Sequence, residues 1–342
     1  MMNTAQESLT STLNATLSAQ YGFSPSSRWR LAARGQTHRT WFVTEPGSHH
    51  PTVVVRRYHA GFDEQTIACE HAILHYLRQH RFPVPRVMAS RQNQSVVRVG
   101  QDRYSVFEYC PGQPATFLSR RLQPGILRVA GETLGRYHQL VKRFPIDGLK
   151  RQETECWLID AFLRQRKQLL TMTQPAPFAH SMTQQLEEMV AWLKDVCPRL
   201  DENRQHAPLL LVHGDFGPQN VLFQHTTVLA VLDFSNVHVN APVVDVARAV
   251  AMFAKGLGPQ LDLGLARKFL RAYRTHRDFR AGELAWFPAE IILSRLVSLY
   301  YQLTQYCDEG HQELRPKIVQ LMTLIRWLKA HEARLVDLCV TR

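Results

Sequence analysis

The sequence predicts an α+β protein of two lobes: a small strand-rich N-terminal lobe over residues 1–109 and a larger helical C-terminal lobe over residues 110–342. A chain of 342 residues is longer than a single hydrophobic core usually organises. The first hundred residues alternate with a period of two around one helical stretch, whereas four long patterns of period 3.6 follow. Between them stands Cys-Pro-Gly-Gln-Pro-Ala, residues 110–115, a Pro-Gly segment suited to a hinge.

The elements follow in order. His38–Glu45 alternates around Trp41 and Val43, a Pro-Gly turn follows, and Thr52–His59 is a β-branched run ending in arginines, so the two form a hairpin. Gln65–His80 carries Ile67, Ile73, Leu74 and Leu77 at helical spacing, and the two prolines of Phe82–Val87 stop it. Ser95–Tyr109 reads as two more strands about a polar turn. The N-terminal lobe is therefore strand, strand, helix, strand, strand, after a start that frays. Helices are expected over residues 126–141, 181–196, 289–306 and 317–338.

Composition narrows the function classes. The apolar fraction of 45% is ordinary for a globular chain, and no run of about 18 apolar residues suggests a membrane span. The first twenty residues lack the basic start and apolar core of a secretory signal, so a cytoplasmic location is expected. Six cysteines without a Cys-x-x-Cys pair argue against a zinc site and are expected as free thiols. The net charge of +12 raises nucleic-acid binding, but the densest basic stretch, Arg267–Arg280, spaces its charges like the wet side of a helix with Phe269, Leu270 and Tyr273 opposite. No nucleic-acid partner is expected.

The most informative stretch is Leu211–Phe223, LVHGDFGPQNVLF, followed by a second apolar segment that ends in Leu-Asp-Phe at residues 232–234. Two short strands about a turn at residues 224–227 would place Asp215, Asn220 and Asp233 together at the open end of a hairpin. Asn220 and Asp233 offer hard oxygens suited to Mg²⁺, and Asp215 is left to orient a hydroxyl and accept its proton. A polar loop of purely structural purpose would not need this set at these intervals. It is the division of labour in phosphoryl transfer, where a His-x-Asp-x-x-x-x-Asn loop supplies the base and one metal ligand, and a later Asp-Phe supplies the other.

On these residues the chain resembles the aminoglycoside phosphotransferase, choline kinase and type II homoserine kinase group of small-molecule kinases. His-Gly-Asp-Phe-Gly-Pro-Gln-Asn at 213–220 is similar to the group's catalytic loop, and residues 232–247 resemble its metal-binding segment and following helix start. The resemblance implies a protein-kinase-like fold and an ATP- and Mg²⁺-dependent transfer of the γ-phosphate to a hydroxyl. It implies that Asp245 braces the catalytic loop and gives His213 a supporting role; Asp245 as a plain helix cap is the other reading. Protein kinases themselves fit less well, because Gly217 stands where their loop carries lysine and no Ala-Pro-Glu follows Asp233.

The N-terminal lobe should then bind ATP. Arg56 holds the place of the template's strand lysine, with Glu70 on the next helix as its partner; surface charges on an edge strand are the alternative. Gly35 and Gln36 occupy the position of the phosphate loop, although a plain turn explains one glycine as well. Backbone groups from Glu108 to Cys110 are placed to meet the adenine, or serve as ordinary strand and turn. For the acceptor, Glu283, Trp286, Glu290, Tyr300 and Tyr301 suit a cationic amine, and so an amino alcohol, hydroxylated amino acid or amino sugar; a helix packing its aromatic face inward explains them too. A kinase-fold binding module without turnover is the alternative function, and its mark would be loss of the base or a metal ligand.

Overall fold

The computed structural model describes residues 4–32, 38–117, 124–151, 154–171, 176–256 and 258–340. The chain forms two compact units. The first comprises Met1–Gly112 with Leu229–Ser235, and the second comprises Gln113–Val228 with Asn236–Arg342.

In the first unit, α1 (Thr4–Tyr21) leads into β1 (Arg28–Leu31), β2 (Arg39–Thr44), β3 (Val53–Arg57), α2 (Glu64–Gln79), β4 (Val87–Met88), β5 (Val97–Val99) and β6 (Asp102–Glu108). The antiparallel sheet runs β1-β2-β3-β6-β4, with β5 also on β6. Period-two alternation turns Val53 and Val55 to one face, where they join Val43, Val106 and Tyr104 and the leucines of α1, Leu13 and Leu17. Val54 and Arg56 take the opposite face, and Arg57, on the first face, pairs with Asp102. Three elements exceed the expected five. The Ser/Thr-rich α1 has weak helix formers and is held by burial of Leu13 and Leu17, one turn apart, where fraying was expected. β1 and the two-residue β4 are set by pairing rather than by pattern.

The second unit is mainly helical: α3 (Pro124–Val141), α4 (Leu158–Thr171), α5 (Ala176–His206), α6 (Pro242–Phe253), α7 (Leu263–Arg274), α8 (Ala281–Asp308), α9 (Arg315–Ala330) and α10 (Glu332–Val340). The expected helix over 317–338 is two, broken at His331, beyond which α10 packs on α8 and α7. Short strands interrupt the helices. β7 (Gln113–Pro114), β9 (Val221–Gln224) and β10 (Thr227–Val231) make one small sheet, and β8 (Leu210–Val212) pairs with β11 (His238–Asn240) in another. The division between the units falls within β10, after Val228.

One helix contact matters most for the site. α3 carries Gly131 and Gly135 four residues apart, on the face laid against α7. A Cβ on Gly131 would meet the Phe269 carbonyl oxygen at 2.3 Å, and one on Gly135 the Tyr273 carbonyl oxygen at 2.5 Å. The two glycines thus let the backbones approach, and His138, three residues after Gly135, comes onto Tyr273. Substituting Gly135→Ala is expected to cost about 1–3 kcal/mol, the usual penalty for overpacking a close contact, despite alanine's higher helix propensity. Urea denaturation checks this; a gain in stability would show that the approach is not tight.

Candidate active site

The site is built around a carboxylate that lies below the loop it supports. Asp245, in the first turn of α6, is 1% exposed. Its Oδ2 accepts from the His213 backbone N–H at 2.7 Å, its Oδ1 accepts from the Gly214 N–H at 2.9 Å, and His138 Nε2 approaches Oδ2 at 3.2 Å. Burial alone would favour the protonated form, but the hydrogen bonds from His138 and from the His213 backbone outweigh it and bring the Asp245 pKa down to about 2. Burial pushes His138 the other way, towards the neutral ring. The tautomer that satisfies every partner donates from Nε2 to Asp245 and accepts at Nδ1 from the Tyr273 hydroxyl, 2.9 Å away. That hydroxyl in turn accepts from Arg277 Nη1 at 3.2 Å.

With its amides held, the chain turns sharply. Gly214 has φ +77°, and a Cβ there would strike the Asn236 carbonyl oxygen at 2.3 Å, so glycine is required. Arg248, one turn after Asp245 on α6, hydrogen-bonds the Gly214 carbonyl oxygen. His213 is fully buried, and its Nδ1 accepts from the Asp215 N–H at 3.2 Å, a supporting position. The Asp215 side chain is half-buried. Asn220 Nδ2 donates to the Asp215 carboxylate at 2.8 Å and to its carbonyl oxygen at 2.9 Å. Its amide donors are thereby committed to Asp215, and the side-chain oxygen Oδ1 is the atom suited to a hard cation. Arg295 of α8 carries a pKa pushed down to about 10 by burial and the charge of Arg248, with Asp215 opposing. A guanidinium therefore lies within the field of the Asp215 carboxylate.

In the first unit, Arg56 on β3 pairs with Glu70 on α2 at 2.9 Å, and the Tyr58 hydroxyl donates to the other Glu70 oxygen at 3.0 Å. Glu70 is 4% exposed, and burial raises its pKa against the pull of Arg56. For Arg56 burial opposes the charge, but Glu70 and then Asp233 outweigh it and hold the pKa above the ordinary arginine range. Asp233 lies 3.9 Å from Arg56 and accepts from the Ser235 hydroxyl at 2.7 Å. Its backbone is left-handed, φ +63°, immediately before the buried Phe234. Left-handed aspartate is uncommon and clusters at functional sites.

Not every expected residue is placed to act. Gly35 and Gln36 lie outside the described residues. The Glu108 N–H is spent on the Arg86 carbonyl and the Tyr109 N–H on that of Thr52, so two amides of the expected adenine segment already have partners. Cys110 is half-buried, its thiol pushed up to about 11 by burial and the charge of Glu108. Glu283 and Glu290, expected to face a cationic acceptor, are each 3% exposed and paired with Arg277 (2.7 Å) and Arg204 (2.8 Å). Arg277, six residues before Glu283, and Arg204, 86 residues before Glu290, have claimed them. Tyr300 stacks edge-on with Trp157, and Tyr301 is exposed. Sequence reasoning missed the roles of His138, Tyr273, Arg248 and Arg295. Only Arg248 left a trace, one helical turn from Asp245.

No group of three or more His, Cys, Asp or Glu suited to a metal stands among the described residues. Mg²⁺ commonly takes one or two protein oxygens and completes its shell with phosphate and water. Asn220 and Asp233 are oxygens of that kind.

The loop and the arginine–glutamate pair are the arrangement expected of the phosphoryl-transfer class. The chain belongs to the phosphotransferase enzyme family, whose model matches residues 28–281. Among solved structures it is similar to amicoumacin kinase hAmiN in complex with AMP-PNP, Ca²⁺ and Ami, at 16% identity and TM-score 0.65 over 95% of this chain and 92% of that one. It is similar also to a microcompartment-associated aminopropanol kinase, at 18% identity and TM-score 0.65 over 96% and 98%. A choline kinase from Cryptosporidium parvum matches at 13% identity and TM-score 0.61 over 96% and 97%. These likenesses establish a protein-kinase-like fold. No curated protein matches the sequence. Among the described residues no helix is long and apolar enough to cross a membrane.

Asp245 gives the site a pH signature. Its folded pKa, about 2, lies below the ordinary value of 3.8, so its ionisation stabilises the fold above pH 4 and that contribution is lost as pH falls through 2. A shift of this size corresponds to about 2 kcal/mol. Asp245→Asn, which offers one acceptor where two amides need one each, is expected to lose about 3 kcal/mol at pH 7. The gap between wild type and variant should narrow below pH 4, as urea titrations at stepped pH would show; a gap constant with pH would mean the carboxylate is not ionised in the fold.

Proposed function

We propose that this protein transfers the γ-phosphate of ATP to a hydroxyl group of a small molecule, with Asp215 as the catalytic base. One observation carries the reading: Asp215 is held by Asn220 at 2.8 Å on a loop whose two preceding amides are fixed by Asp245. Family membership supports it. Asp215 aligns the acceptor hydroxyl and takes its proton as the hydroxyl oxygen bonds to the γ-phosphorus and the bond to the β,γ-bridging oxygen breaks, releasing ADP. Arg56, oriented by Glu70, holds the phosphate chain. Asn220 and Asp233 each offer an oxygen that would hold Mg²⁺, whose charge would offset that of the phosphates. Because such transfer depends on position and electrostatics more than on covalent chemistry, each holding residue matters nearly as much as the base.

For the acceptor we favour an amino alcohol, hydroxylated amino acid or amino sugar. The support is that neighbours in structure include an aminopropanol kinase and a choline kinase. Glu283 and Glu290 give it none, since both are committed to arginines.

The test is Mg²⁺-dependent ADP release across a panel of such hydroxylated amines. One acceptor class should stimulate release; Asp215→Asn should lower kcat by about 10²–10⁴ with ATP binding retained, and Arg56→Ala should raise KM for ATP. Full turnover in Asp215→Asn would refute the assignment of the base.

A further inference from the structure

Two arginines beside the loop that carries Asp215 lack the kind of partner that enclosed arginines have elsewhere in this protein. Arg56, Arg204 and Arg277 each grip a buried glutamate. Arg248 on α6 and Arg295 on α8 do not. Both belong to the same unit as Asp215, and α6 packs along α8. Arg248 Nη1 donates to the Gly214 carbonyl oxygen, in the peptide that leads directly into Asp215. Arg295 Nε donates to the Ser294 hydroxyl at 3.3 Å. Those are the hydrogen bonds the two guanidiniums make among the described residues, and neither goes to a carboxylate. Glu290, whose charge reaches Arg248, is taken by Arg204 Nε and Nη2 at 3.0 and 2.8 Å.

The spare donors are open. Both side chains keep part of their surface accessible. None of their nitrogens is among the enclosed polar atoms that lack a partner, so Arg248 Nε and Nη2 and Arg295 Nη1 and Nη2 are donors a dissolved molecule can reach. They are also close together. Burial and then the charge of Arg248 push the Arg295 pKa down to about 10, while Asp215 opposes them, so both guanidiniums and the Asp215 carboxylate share one neighbourhood. Adjacent like charges with unsatisfied donors favour an anion between them, and a planar guanidinium fits a carboxylate through two parallel N–H···O bonds.

We propose that Arg248 and Arg295 bind a carboxylate of the acceptor, so that the molecule phosphorylated is a small hydroxy acid, such as a hydroxylated amino acid, rather than an amino alcohol or amino sugar. This rests on the reading of Asp215 as the group that receives the acceptor hydroxyl. Because Arg248 holds the carbonyl of the peptide joined to Asp215, an acid bound there would present to that residue a hydroxyl a few bonds from its carboxylate. The phosphate chain of ATP is left to Arg56, in the other unit.

Matched pairs that differ only in the carboxylate test this: serine with ethanolamine, threonine with 1-amino-2-propanol, and homoserine with 3-amino-1-propanol. Binding to the full chain is read by ligand-observed saturation-transfer NMR with Mg²⁺ and AMP-PNP present, and turnover by ADP release from ATP. In at least one pair the acid should bind about 10–100-fold more tightly than its partner, the range for a hydrogen bond to a charged group. Arg295→Gln should abolish that preference with the KM for ATP unchanged, and Arg295→Lys, which keeps a charge but loses the fork, should leave it between the two. The lysine variant also serves if the glutamine variant does not fold, as circular dichroism would show. Equal binding of acid and amine in every pair, no binding of any acid to folded wild type, or a preference unchanged in a folded variant would overturn the proposal. So would a raised KM for ATP in Arg295→Gln, which would assign the arginine to the phosphates. Acid binding that is lost in Arg295→Gln but brings no ADP release in wild type would refute the kinase reading and uphold the carboxylate site.

Discussion

The carboxylate of Asp245 is the interaction on which the loop carrying Asp215 depends. It is almost fully buried, and there it meets two backbone amides and one imidazole at once. A charge so buried is tolerated only with partners on several sides, and removing one partner costs more than the contact is worth. Geometry follows from it. Once the amides of His213 and Gly214 are fixed, the left-handed turn at Gly214 delivers Asp215 to the position where Asn220 can hold it.

The fold supplies those partners through packing. The close approach of α3 to α7 at Gly131 and Gly135 brings His138 to Tyr273, and Arg277 completes the chain of donors behind the ring. Burial keeps the imidazole neutral, and its hydrogen bond together with those of the backbone amides keeps the carboxylate charged against burial, so a single proton arrangement satisfies the set. In the first unit, a comparable economy holds Arg56 between Glu70 and Asp233, with Tyr58 closing the second oxygen of Glu70.

Much of this was legible in the sequence because it is local or periodic. Asp215 and Asn220 are five residues apart, and alternation along β3 assigned Arg56 and Arg57 to opposite faces. Asp245 was reached only through family resemblance, and its bonds to His213 and Gly214 give that role a physical basis. The misses share a different cause. His138 meets Asp245 across 107 residues and Arg204 meets Glu290 across 86, and no spacing rule reports such pairs. Hence Glu290 read as an available carboxylate when Arg204, 86 residues away, had already taken it; Glu283 is taken by Arg277, six residues before it. The α1 helix escaped notice because its Ser/Thr-rich composition is that of a loose end, while two leucines suffice to dock it.

Native-state amide hydrogen exchange at His213 and Gly214 tests the role of Asp245 most directly. If the buried carboxylate anchors the loop, both amides should exchange only through global unfolding, with protection matching the stability from denaturation, and should lose that protection in Asp245→Asn. Exchange through local opening in the wild type, at rates typical of surface loops, would show that the loop is not held there.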